Sequence, residues 1–191
     1  MKTFRTAVAL FVFALVAAPS AEAQTSWELG PYAGFNLGNE EFLLGAISRI
    51  HIPTASVTLN PGFEFYPSIG GPGDDRSLLV VNFDVQYQLE AESLEPYVGG
   101  GLFWRKRSVN SVSDSDLGLN LKGGLLFNAS GNMQPYAEAV LALGGGSDFI
   151  LKGGMVFKTS GSMQPYAEAG LALGGGSESF LIKAGLLFPI G

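Results

Sequence analysis

Lys122, Glu138, Lys152, Glu168 and Lys183 recur through the second half of the chain with alternating charge. Charges spaced in this way can neutralise one another as buried ion pairs or line a path for protons or ions, and ion pairing is the expected use. Catalysis has little else to draw on. His51 is the single histidine, and serine–histidine nucleophilic chemistry needs a positioned third group that the sequence does not supply. There is no cysteine, which removes thiolate nucleophiles, thiolate metal sites and disulfides. Asp74-Asp75 and the pair Asp114 and Asp116 are candidate weak calcium ligands, but solvated loop acids are the simpler reading. The Gly-Gly-Gly segments lack the strand–helix setting of a phosphate loop and read as tight turns. No catalytic residue, cofactor or metal site is expected, and the chain reads as a non-enzyme.

The charged residues sit in an internal repeat. The segment from Lys122 to Gly146 returns nearly unchanged from Lys152 to Gly176, and a partial third copy begins at Lys183. Each copy holds two alternating runs separated by turn residues, Ala-Ser-Gly-Asn or Thr-Ser-Gly-Ser at one end and Gly-Gly-Gly-Ser at the other. Such a unit is a β-hairpin. Extended upstream, the same pattern predicts ten strands: 27–37, 42–51, 56–66, 78–89, 96–106, 117–127, 133–143, 148–157, 163–173 and 179–188. Most match the roughly 9–11 residues that cross a bilayer at a tilt and exceed the common soluble strand of about 5–6.

Alternation assigns the faces. Phe149, Leu151, Gly153, Met155 and Phe157 share one side, and Ile150, Lys152, Gly154 and Val156 the other. In the strand from 78, Leu79, Val81, Phe83, Val85, Tyr87 and Leu89 oppose Asn82, Asp84, Gln86 and Gln88. One face is apolar throughout with aromatics at its limits, and the other is polar at mid-strand. A soluble lipocalin-like barrel would turn the apolar face inward. Strand length, the aromatic ends and a mean hydropathy of +0.26 favour a closed, antiparallel up-and-down transmembrane β-barrel, with its backbone fully paired in lipid.

On this reading the five charges face the lumen. Centring the hairpins on their turn residues sets Lys122 opposite Glu138, Glu138 opposite Lys152, Lys152 opposite Glu168, and Glu168 opposite Lys183. Opposed positions lie about 5 Å apart, so a ladder should form, neutralise the lumen and plug it. Glu28 is the candidate to extend it past Lys183 where the last strand closes on the first.

The first 23 residues read as an export signal: Lys2 and Arg5, an apolar run from Ala7 to Ala18, then small residues at Ala21 and Ala23 before Gln24. Residues 24–191 are then the barrel, expected in the outer membrane of a Gram-negative envelope. The net charge of −6 argues against nucleic acid, which needs a clustered positive surface.

Several segments resemble the OmpA-like and OmpX-like small outer-membrane β-barrel domains. They are Leu59-Asn60-Pro61-Gly62-Phe63-Glu64-Phe65-Tyr66, Pro96-Tyr97-Val98-Gly99-Gly100-Gly101, Gly118-Leu119-Asn120 with Gly123-Gly124, and Gly185-Leu186-Leu187-Phe188. The resemblance covers residues 24–191 and implies outer-membrane lipid and the barrel-assembly machinery as partners. Two departures stand out. The family usually has eight strands where the duplicated hairpin indicates ten, and its closing aromatic, here Phe188, is followed by Pro189-Ile190-Gly191. An even strand number leaves both termini periplasmic, so 38–41, 67–77, 107–116, 144–147 and 174–178 become outer loops, the second and third long enough for a binding surface. Arg105-Lys106-Arg107, beside Trp104, is the one basic cluster and a candidate contact for lipopolysaccharide phosphates. The expected function is a structural or interaction role. A narrow channel or small-ligand transporter, porin-like in kind, is the alternative, and an outer-membrane enzyme the third. Ligand and oligomeric state are not legible.

Overall fold

The computed structural model describes residues 25–67, 69, 75–91, 94–109, 112–127, 131–144, 147–159, 162–174 and 178–190. The proposed leader, Asp74 and most of the triple-glycine residues lie outside them. The described residues form ten strands: β1(Ser26–Asn36), β2(Glu41–Ile52), β3(Val57–Tyr66), β4(Arg76–Gln88), β5(Leu94–Val109), β6(Val112–Phe127), β7(Met133–Leu143), β8(Ser147–Phe157), β9(Gln164–Gly174) and β10(Ser179–Ile190). Each pairs antiparallel with its neighbours in sequence, and β1 pairs with β10, so the sheet is a closed barrel. Closure leaves the wall without a free edge, as backbone in hydrocarbon requires. A single 3₁₀ turn, Pro53–Ala55, joins β2 to β3.

The faces fall as the alternation predicts. Leu29, Phe35, Phe63, Phe65, Leu102, Leu119, Leu121, Phe149, Leu151, Phe157, Phe180, Ile182 and Phe188 all stand outward and exposed. Asn36, Asn60, Asp84, Asn120 and Glu138 are buried inside. A soluble barrel has the reverse arrangement, so the apolar exterior excludes that alternative.

One predicted loop is not a loop. Residues 107–116 continue β5 to Val109 and start β6 at Val112, with the two strands paired as far as Val109↔Val112. Serine and aspartate gave the segment a loop-like composition. Yet its backbone continues the β5–β6 pairing without interruption, with Arg105 opposite Asp116 and Arg107 opposite Asp114. Where a long third loop with a binding surface was expected, the described residues form a two-stranded projection.

Candidate functional site in the barrel lumen

Inward positions on seven strands carry one connected set of charges. Lys122 Nζ lies 2.7 Å from Asp84 Oδ2 and 3.9 Å from Glu138 Oε2. Lys152 Nζ lies 2.6 Å from Glu138 Oε1 and 4.0 Å from Glu168 Oε2. Lys183 Nζ is 3.9 Å from Glu168 Oε1 and bonds directly to Glu64. The order is acid, base, acid, base, acid, base, acid from β4 round to β3. All five residues predicted for the ladder are in it.

Their register is only half as predicted. Glu138 faces Lys152 and Glu168 faces Lys183 directly. Across the other two hairpins the pairing is two residues off: Lys122 stands opposite Val140, with Gly124 opposite Glu138, and Lys152 stands opposite Gly170, with Gly154 opposite Glu168. The β6–β7 pairing centres on Gly131, whose φ of +124° only glycine readily adopts, one residue past the centre that composition suggests, and the β8–β9 pairing is likewise centred one residue late. The charges meet along diagonals instead.

Glu28 does not extend the ladder. It stands opposite Pro189 on β10, while Lys183 stands opposite Gly34, six residues further along β1, about 20 Å away at strand rise. Glu28 instead lies 3.9 Å from Arg49. The residue that takes Lys183 is Glu64, from the far side of the seam.

A second regularity explains how these side chains reach one another. Tyr32 faces Gly45, which faces Glu64. Tyr97 faces Gly124, which faces Glu138. Tyr136 faces Gly154, which faces Glu168. In each case the ring lies flat across the glycine and its hydroxyl donates to the carboxylate one strand beyond, at 2.9, 2.8 and 2.7 Å respectively. A Cβ on the glycine would sit 2.3–2.5 Å from the ring's Cζ, closer than real atoms approach. Tyr166 lies over Gly185 in the same way, but the next strand offers Tyr32, and the two rings meet edge-on at 6.5 Å. The lysines use the same device, with Lys122 opposite Gly99, Lys152 opposite Gly170 and Lys183 opposite Gly34.

Each carboxylate thus has several donors. Glu64 also accepts from Tyr66 at 2.9 Å, Glu138 from Gln86 at 3.3 Å, and Asp84 from Asn120 at 3.2 Å. Burying such charges is costly unless every lone pair is met, and no buried side-chain polar atom among the described residues lacks a partner. Sequence reasoning put Asp84 on the polar face but outside the ladder, and missed Glu64 and the tyrosines. The Tyr-x-Glu spacing at Tyr136–Glu138 and Tyr166–Glu168 was the available signal.

The two ends of the lumen differ. On the side of the charges nearer the chain termini, a cavity of about 700 Å³ is lined by Arg49, His51, Gln88, Glu95, Gln134 and Lys158 among others. On the other side Leu43, Phe103, Val140 and Ala142 are buried inside the barrel. Beyond them Arg105 crosses to Asp148 at 3.1 Å, with its guanidinium 4.5 Å from the Phe103 ring centre.

Arg105 and Arg107 alternate to the inner side and only Lys106 points outward, so the three side chains of the basic cluster do not share one face. His51 shares a hydrogen bond with Thr58 Oγ1 at 3.1 Å. Neither Asp75 nor Asp114 and Asp116 belongs to a group of three or more potential metal ligands among the described residues.

No protein-family model matches the chain, and no curated protein does. Solved structures do. The β domain of the Bordetella autotransporter BrkA aligns over 87% of this chain and 99% of its own, with TM-score 0.51 and 10% identity. The N-terminal β-barrel domain of Pseudomonas aeruginosa OprF covers 87% and 100%, with TM-score 0.44 and 16% identity. Neisserial surface protein A covers 86% and 96%, with TM-score 0.43 and 12% identity. The chain is a closed β-barrel of ten antiparallel strands, a barrel fold it shares with the BrkA β domain.

Proposed function

We propose that the chain is an exported outer-membrane barrel with a structural or interaction role, non-enzymatic, whose lumen is closed to solutes. The apolar exterior and the leader read in residues 1–23 support that location. The observation that carries the closed lumen is the two-layer filling. The Asp84–Lys122–Glu138–Lys152–Glu168–Lys183–Glu64 chain spans the interior, and Leu43 and Phe103, 0% and 2% exposed, fill the space beyond it. A barrel of this strand number has an interior that side chains can nearly fill. In planar bilayers the purified protein is expected to stay electrically silent, and steady, reproducible conductance steps would contradict the closed lumen.

One observation favours a second reading, a narrow channel or small-ligand transporter. The cavity near the termini falls within the roughly 300–1,000 Å³ of ordinary ligand sites and ends on the charged layer. Transport would require Leu43, Phe103 and the Arg105–Asp148 pair to move aside together.

A further inference from the structure

The lumen network leaves one carboxylate loosely held. Lys152 and Lys183 each have a closer acid, Glu138 at 2.6 Å and Glu64, and stand 4.0 and 3.9 Å from Glu168. The close donor to Glu168 is Tyr136, whose hydroxyl bonds Oε2 at 2.7 Å. Oε1 therefore accepts no hydrogen bond from the described residues. It is not sealed in protein either. No buried side-chain polar atom among the described residues lacks a partner, and Glu168 lines the cavity that runs to the strand ends at Ser26 and Gln88.

The same cavity holds a guanidinium in the complementary condition. Arg49 points inward from β2, and its one ion pair among the described residues is with Glu28 at 3.9 Å, beyond hydrogen-bond length. Its fork of N–H donors makes no hydrogen bond to a described residue, and its side chain is 30% exposed to the cavity. Tyr166 completes the set. Its ring is packed over Gly185 against Tyr32, yet its hydroxyl has no hydrogen-bond partner among the described residues. The Glu168 carboxylate and the Arg49 guanidinium both act electrostatically on Tyr166 and on Tyr136. The two charges thus approach the same two rings without pairing with each other.

We propose that this cavity binds a zwitterion, a free amino acid or a short peptide, with its carboxylate on Arg49 and its ammonium on Glu168. The guanidinium offers a carboxylate two parallel N–H bonds, and the ammonium donates to Glu168 Oε1. The Tyr166 hydroxyl donates to the carboxylate beside Arg49. Charge balance selects the zwitterion. Six carboxylates and five lysine or arginine side chains line the cavity, so a simple anion adds to an acid excess and leaves Glu168 unmet. A simple cation leaves Arg49 unmet. The cavity volume of about 700 Å³ lies in the range of ordinary small-molecule sites. Binding requires no passage through the barrel, so the site goes beyond the closed-lumen reading and stands whether or not the protein conducts.

The test titrates the full-length barrel, refolded in detergent micelles, with alanine and with alanyl-alanine by calorimetry. Saturable binding of at least one is expected, and the tighter of the two gives the length of the ligand. The amide of that ligand lacks the carboxylate and its N-acetyl form lacks the ammonium, and each should bind at least about tenfold more weakly. In Arg49→Gln, with unboiled gel mobility unchanged, the free acid should fall to the affinity of the amide and the two should bind alike. In Glu168→Gln the parent and its N-acetyl form should bind alike. The proposal is overturned if neither zwitterion binds, the result expected if Arg49 and Glu168 only balance charge in a hydrated mouth. It is overturned equally if the amide or the N-acetyl form binds as well as its parent, or if Arg49→Gln keeps full affinity. Conductance is not read in this experiment, so its failure and failure of the closed lumen are told apart.

Discussion

Exchange of Glu138 for alanine is expected to cost the barrel about 3–5 kcal/mol, the range for removing one partner from a buried charged pair. Glu138 is the centre of the lumen network. It is 6% exposed, lies 2.6 Å from Lys152 and 3.9 Å from Lys122, and accepts the Tyr97 hydroxyl at 2.8 Å. Its loss takes the 2.6 Å partner from Lys152, which keeps only Glu168 at 4.0 Å, while Lys122 keeps Asp84 at 2.7 Å. Removing Lys152 as well should restore part of the loss, with a coupling of roughly 0.5–3 kcal/mol between the two sites. Denaturant titration of the protein in lipid vesicles, followed by the fluorescence of Trp27 and Trp104, measures both. Strict additivity, or a single-variant loss no larger than that of an exposed substitution, would mean the charges are not energetically joined.

Two adjacent glycines should answer very differently to one methyl group. Gly154→Ala puts a Cβ 2.5 Å from Tyr136 Cζ and 2.6 Å from the Ala167 carbonyl. The ring must lift and its hydroxyl must leave Glu168, for a cost of about 1–3 kcal/mol. Gly153→Ala points outward, where the nearest atom, Tyr136 O, is 3.7 Å away, and should change stability by less than about 0.5 kcal/mol. Gly124 and Gly123 form the same contrast in the preceding copy of the repeat, at 2.4 Å from Tyr97 Cζ and 3.8 Å from Tyr97 O. Equal effects within either pair would remove the claim that the glycines are seats for tyrosine rings.

These contrasts mark where the sequence was legible. Strand number and facing were readable because a strand repeats every two residues and one face is apolar without interruption. Lys152 inside a run such as Phe149–Phe157 has only one place to go. Register was less readable, because it turns on which residue of a glycine-containing turn takes a positive φ. At Gly131 a one-residue difference moved Lys122 two places against Glu138. The bond from Lys183 to Glu64 joins residues 119 apart in sequence. It depends on barrel closure and on a lysine stem crossing Gly34, and no local pattern records either. The segment 107–116 was misread for the opposite reason, since its composition resembles a loop while its backbone pairs across β5 and β6.

All of this rests on oily side chains facing outward and the charged network facing the lumen. The natural chain has no cysteine, so single cysteines can carry a fluorophore without interference. With the protein in phospholipid vesicles, labels at Leu141 and Leu151 should be quenched by brominated acyl chains. Labels at Gln134 and Ile150 should not be. Lipid quenching at Gln134 and Ile150, with Leu141 and Leu151 answering only to a water-soluble quencher, would turn the barrel inside out and contradict the account.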